Sequence, residues 1–206
     1  VIVLWPSGSR ILKGLGIFRD LLDVGLEFTT YNVSDQKGQM IHAYSVKDVV
    51  DKYGPMLSTY RPDLIEVLRK AVDPGSIRMN TSIDKIEQTN DEVYVTFTDG
   101  TKDTFDLVVG CDGVRSKTRE LAFGDVPLTY SGMTGWSFWV KPNIAKTSEI
   151  KEYWGTGKFF GIWPTKGRLS VFTSIRKESQ GPDEVESRID RIQDNFKDFG
   201  GLVPDI

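Results

Sequence analysis

Apolar and polar residues alternate most clearly at Val93–Phe97, at 158–163 and at 168–175. A period of two puts successive side chains on opposite faces of a pleated strand, so each stretch is predicted to be half-buried β-structure. Further strands are predicted at 77–79, 130–140 and 152–154, and at 28–33 and 40–44 as a hairpin around Asp35-Gln36-Lys37-Gly38. Asp99-Gly100, Gly155-Thr156-Gly157 and Pro164-Thr165-Lys166-Gly167 supply turns, so 130–175 reads as an antiparallel meander. Elsewhere the period is helical. Trp5-Pro6-Ser7 opens a helix with Ser7 as its cap and Ile11, Leu12 and Leu15 as its apolar face. A second helix carries Phe18, Leu21, Leu22 and Val24 and stops at Gly25. Pro62 suits the first turn of a third, with Leu64, Ile65, Val67, Leu68 and Ala71 inward and Asp73-Pro74 as its stop. Over 182–199, Val185, Ile189, Ile192 and Phe196 predict an amphipathic helix packed on the meander.

The most informative break in the pattern lies at 106–119. Strand 104–109 is predicted to end in the apolar, β-branched run Leu107-Val108-Val109, bounded by turn residues and therefore buried. Asp112-Gly113 then turns the chain, and Ser116 caps a helix with Arg119 and Glu120 in its first turn. In α/β sheets a ligand sits where a strand ends in such a corner, and Asp112 there accepts hydroxyl hydrogen bonds. A capped turn with no ligand fits the spacing as well. Cys111, at the end of the apolar run, is predicted buried and unreactive. The second break is Tyr60-Arg61-Pro62-Asp63. Arg61 stands at a helix N-terminus, where free N–H groups and the dipole favour an anion, and a planar guanidinium there is suited to grip a pyrophosphate or ribose oxygen in a forked hydrogen bond. Pairing of Arg61 with Asp63 satisfies the same spacing.

Composition narrows the classes without choosing among them. The chain has 206 residues, 39% hydrophobic and 27% charged, with a net charge of −3, enough for one generous domain or two small ones. That charge gives no general attraction for nucleic acid. One cysteine excludes an internal disulfide, and the single histidine, His42, sits in a hairpin strand without a partner base, a structural position. No apolar run reaches the length of a membrane span and no charged-then-apolar leader begins the sequence, so the expected location is cytoplasmic. No Ser/His/Asp set and no carboxylate pair at catalytic spacing is visible, which points to cofactor-borne chemistry.

Two strings carry a resemblance. The run from Asp106 through Asp112-Gly113 to Ser116-x-x-Arg119, and Arg61-x-x-Leu64-x-x-x-Leu68 about fifty residues before it, resemble motifs of the class A FAD-dependent flavoprotein monooxygenases, the p-hydroxybenzoate hydroxylase-like family. Cys111 stands where that family commonly has alanine. The resemblance implies an α/β fold: an incomplete Rossmann-like FAD-binding domain over 1–124 and a substrate domain over 125–206, an antiparallel sheet covered by a helix. It implies FAD contacts from Arg61, Asp112 and Gly113 and a main-chain contact from Ile83. It also implies substrate-pocket positions at Phe160, Trp163 and Phe172, although an aromatic stripe on strands serves equally as core. The implied reaction reduces FAD with NADH or NADPH and uses O2 to place one oxygen atom on a small organic, aromatic molecule. A strand-GxGxxG-helix unit is absent (Gly14-Leu15-Gly16 lacks its strand and third glycine), and so is the family's later Gly-Asp motif. The sequence thus reads as an internal fragment, inactive alone. A flavin halogenase, a geranylgeranyl-type reductase of the same fold and a cofactor-free binding module remain open.

Overall fold

The structure is a computed structural model that describes residues 1–141, 149–179 and 181–206. They form two compact units, one of Val1–Val72 with Tyr130–Ile206, the other of Asp73–Thr129. The first opens with β1 (Ile2–Leu4), α1 (Pro6–Gly14), α2 (Phe18–Val24), β2 (Gly25–Glu27), β3 (Thr30–Asp35), β4 (Met40–Ser45), α3 (Lys47–Tyr53), β5 (Leu57–Thr59) and α4 (Arg61–Lys70). The second holds β6 (Ile83–Gln88), β7 (Val93–Phe97), β8 (Lys102–Phe105) and α5 (Lys117–Phe123). The chain then returns to the first through β9 (Met133–Val140), β10 (Ile150–Gly155), β11 (Lys158–Thr165), β12 (Arg168–Arg176) and α6 (Arg188–Phe196).

The predicted meander forms, with a wider membership. Its sheet runs β4-β3-β10-β11-β12-β9, antiparallel throughout except where β10 pairs parallel with β3. The 30–45 hairpin is therefore part of the sheet of the second half of the chain, which a linear boundary at 124/125 does not anticipate. One face of this sheet packs Tyr153, Phe160, Ile162, Leu169 and Val171 against Phe196, Phe199 and Val203. A smaller sheet, β1-β5-β2, holds Leu57 against Leu12, Leu21, Leu64 and Val67 of the helices beside it.

Several expected details differ. Trp5, not Ser7, is the N-cap of α1, and Ile11 and Leu15 are exposed while Leu12 is buried. Residues 77–79 form no strand, and Met79 is exposed. Residues 107–110 form no strand either: Leu107 is 74% exposed and Val109 69%, because no neighbouring strand among the described residues pairs with them. Cys111 is accordingly exposed as well. The final helix is shorter than 182–199, with Val185 and Ile189 exposed and only Ile192 and Phe196 turned to the core. No helix among the described residues is long and apolar enough to cross a membrane.

Candidate functional site: an aromatic sheet face and two motif corners

The face of the six-stranded sheet opposite α6 is lined by rings. Phe159, Trp163 and Phe172 contact one another, with centroids 5.9–6.5 Å apart in tilted or edge geometry. Register explains the grouping: Trp163 lies opposite Ser170, and Gly161 lies opposite Phe172 in the next row. Gly161 is what lets the rings lie down. A Cβ there would stand 2.0 Å from the Trp163 indole and 3.0 Å from Phe159. Phe172 remains 41% exposed, so the surface is open at that ring, while Trp163 packs against the buried cluster of Phe28, Val46, Met56 and Ile150.

A polar group adjoins the rings. Glu152, on the same face and opposite Gly161, is buried; Tyr31 donates its hydroxyl to Oε1 at 2.5 Å and Trp154 its indole N–H to Oε2 at 2.9 Å. Burial, and after it the hydrogen bond to the Glu152 carboxylate, raise the Tyr31 phenol well above the usual tyrosine range. Tyr31 stacks on Tyr44 of β4. At the other end of the face, Arg168 stands 3.9 Å over the Tyr60 ring, and Tyr60 meets Trp139 edge-on at 5.0 Å. Tyr60 is the N-cap of α4, so these contacts tie the sheet to the helix that begins with Arg61. Arg61 is exposed and makes no ion pair among the described residues. Asp63 does not claim it, and the cation remains available to an anion.

The Asp112 corner belongs to the second unit. Its carboxylate accepts from Ser116 Oγ at 2.5 Å, from the Thr118 backbone N–H at 2.9 Å and from Thr118 Oγ1 at 3.1 Å. The Ser116 bond first, and the Thr118 amide after it, hold Asp112 well below the usual carboxylate range. The expectation of a carboxylate free for hydroxyl groups is thus corrected in part. Three acceptor sites serve its own helix, and Oδ1 keeps one. Ser116 caps α5 as expected, accepting from the Arg119 N–H. Gly113 has a φ of +79° and open space where a Cβ would stand, so backbone is presented bare at the corner. Ile83 begins β6, opposite Phe97. A cavity of about 300 Å³ behind the corner is lined by Ile86, Val93, Leu107, Gly110, Thr118 and Phe123.

The structure therefore distributes the residues singled out in the sequence. Trp163 and Phe172 share the open face. Phe160 does not: it is 2% exposed on the α6 side, where it lines a cavity of about 790 Å³ with Trp136, Phe138, Ile192 and Phe196. Phe160 is three residues from Trp163, an odd number, so a pleated strand must turn the two to opposite faces. Arg61 belongs to the first unit, and Ile83, Asp112 and Gly113 to the second. Reading the aromatic stripe alone passed over Glu152 and Tyr31. The parity of Glu152 with Trp154 was the available signal, but the Tyr31 partner comes from a parallel pairing of strands some 120 residues apart.

A flavin dinucleotide asks for a cation beside its phosphates, a carboxylate acceptor for a ribose hydroxyl and bare backbone for close approach. Arg61, the spare lone pair of Asp112 and Gly113 supply groups of those kinds, so the residues present fit it in chemistry. Over 149 residues the chain is 30% identical to the 2-heptyl-3-hydroxy-4(1H)-quinolone synthase of Pseudomonas aeruginosa, covering 71% of this chain and 39% of that protein. It is 25% identical over 202 residues to the aurachin C monooxygenase/isomerase of Stigmatella aurantiaca, covering 94% and 51%. With the 3-amino-4-hydroxybenzoate 2-monooxygenase of Streptomyces cremeus it shares 28% identity over 181 residues, 84% and 45%. The chain thus spans about half or less of the length of these relatives. Klebsiella pneumoniae HpxO, solved with FAD and uric acid, superposes with a TM-score of 0.86 at 21% identity over 98% of this chain and 54% of its own, a likeness of fold. Residues 10–191 match the family described as the FAD binding domain, and the chain belongs to that family.

Proposed function

We propose that the chain forms part of an FAD-dependent monooxygenase that takes electrons from NADH or NADPH and transfers one atom of O2 to a small aromatic molecule. The observation that carries this reading is the ring-lined, open sheet face, built around Gly161, in a member of an FAD-binding family. Bound FAD supplies the redox chemistry, accepting the hydride and activating oxygen. The residues of the chain bind and orient. Arg61 neutralises phosphate charge, Asp112 accepts a ribose hydroxyl through its spare lone pair, and Gly113 and the Ile83 main chain allow close approach. Phe159, Trp163 and Phe172 offer a flat apolar surface on which an aromatic ring stacks and from which water is displaced.

The test is expression of the chain within its complete reading frame. The protein should purify with FAD, oxidise NADH or NADPH faster when an aromatic acceptor is added, and yield a product heavier by one oxygen atom. Arg61→Ala should weaken FAD retention by roughly 2–5 kcal/mol, the cost of cutting a charge-assisted contact. Bound flavin without oxygen transfer to any ring compound would overturn the reaction. Unchanged flavin content in Arg61→Ala would overturn the role of Arg61. The 206-residue chain by itself should retain no FAD, because it contains no strand-GxGxxG-helix to cradle the pyrophosphate.

A further inference from the structure

We propose that Glu152 sets the class of ring accepted on the open sheet face: neutral compounds bearing an N–H or O–H, in preference to aromatic carboxylates. The inference rests on the reading of that face as the substrate surface. Glu152 is 8% exposed and both of its hydrogen bonds come from neutral donors, the Tyr31 hydroxyl and the Trp154 indole. No cation among the described residues pairs with it. Lys151, its chain neighbour, bonds Glu149, and Arg168 is over Tyr60. No counter-ion among the described residues offsets the carboxylate, and each oxygen has a second lone pair.

Its position brings the carboxylate to the rings. Glu152 lies opposite Gly161, and Gly161 opposite Phe172, so the carboxylate, the glycine under the Trp163 indole and Phe172 form one row across three strands. A ring stacked on Phe159, Trp163 and Phe172 would lie beside the carboxylate in surroundings poorer in water than bulk solvent. A second negative charge there is repelled, whereas an N–H or O–H finds an acceptor. Glu152 is also a positioning residue, because it fixes the rings of Tyr31 and Trp154 at the edge of the surface.

The experiment is a ligand-observed NMR titration of the 206-residue chain with 4-hydroxyquinoline and with quinoline-4-carboxylate, rings of one size that differ in charge. The wild-type chain should bind the neutral ring at least about tenfold more tightly, a modest outcome for like charges at close range in protein surroundings. Glu152→Gln, similar in shape and uncharged, should bring the two affinities within about threefold. Equal affinities in the wild type, or an undiminished preference in Glu152→Gln, would overturn the inference and leave the substrate surface standing. Binding of neither ring would remove the surface itself and this inference with it. Circular dichroism checks the fold of the variant. If Glu152→Gln does not fold, Tyr31→Phe takes its place. It removes a neutral donor and keeps the charge, so the preference must persist or widen, and its loss would overturn the inference.

Discussion

Phe159 and Phe160 are adjacent in β11, and they live in different surroundings. Phe160 points to α6, where it meets Phe196 edge-on and is closed off with Ile162, Leu169 and Val171. Phe159 points the other way, to Trp163, Phe172 and solvent. The α6 face is mostly hydrocarbon held by burial, with the Tyr153 hydroxyl accepting the Leu202 N–H and Thr173 fully buried among it. The open face mixes rings with a buried carboxylate and its donors, and it leaves Phe172 and Trp154 substantially exposed. Apolar surface left in water weakens a fold, so an exposed ring cluster is better explained by what it binds than by what it stabilises. The two faces differ in degree: the α6 face is closed along its length, whereas the ring face is core where Trp163 packs against Phe28, Val46, Met56 and Ile150 and opens to solvent at Phe172 and Trp154.

The difference predicts unequal mutants. Phe160→Ala should cost about 3–5 kcal/mol of unfolding free energy, because it removes a buried ring and leaves a cavity that α6 can fill only in part. Phe172→Ala should cost under about 1 kcal/mol, as a half-exposed residue does, and should abolish or sharply weaken aromatic ligand binding. Urea unfolding of the two variants checks the first pair of values and ring titration the second. If Phe172→Ala proves as destabilising as Phe160→Ala, the open face is core at Phe172 too and the difference fails.

Gly161→Ala sharpens the comparison within one row. Its Cβ would stand 2.0 Å from the Trp163 indole and would force that ring off the sheet, while the α6 side of β11 is untouched. The expected cost is about 1–3 kcal/mol, in the range for overpacking, with a shift of tryptophan emission and loss of ring binding. Unchanged emission would show that Trp163 does not lie across Gly161.

How far the amino-acid pattern reveals this arrangement depends on the range of the interactions. Local rules place β7, β11, β12 and the Ser116 cap correctly, since alternation and capping act within a few residues. The Pro62 helix start is of the same kind. The parallel pairing of β10 with β3 leaves no local trace, and with it the Tyr31–Glu152 bond is hidden. Leu107 and Val109 were expected inside because a short apolar run suits a buried strand. A buried strand also needs a neighbour, which composition cannot report. Asp112 was legible as the key residue of its corner. That most of its acceptor capacity serves the first turn of α5 follows only from the geometry of Ser116 and Thr118.

The smallest expected effect concerns the polar group that only the open face possesses. Tyr31 has a raised pKa in the fold because the charged phenolate would be partly desolvated and would face the Glu152 carboxylate, while the neutral phenol donates to it. For a group whose pKa is raised by folding, the contribution to stability is complete below the unfolded value, about 10 for tyrosine, and is lost as pH rises through the folded value. Between neutrality and about pH 9 the contribution should therefore be constant. In an alkaline titration followed by tyrosinate absorbance, Tyr31 should ionise last, after Tyr44 and Tyr94, whose phenols are raised as well. Tyr31→Phe should remove that late step. Glu152→Gln should move it down without abolishing it, because burial, the larger cause, remains. If all tyrosines ionise together near pH 10 in the folded wild-type chain, Tyr31 is not desolvated against Glu152, and the polar edge of the open face is not built as described.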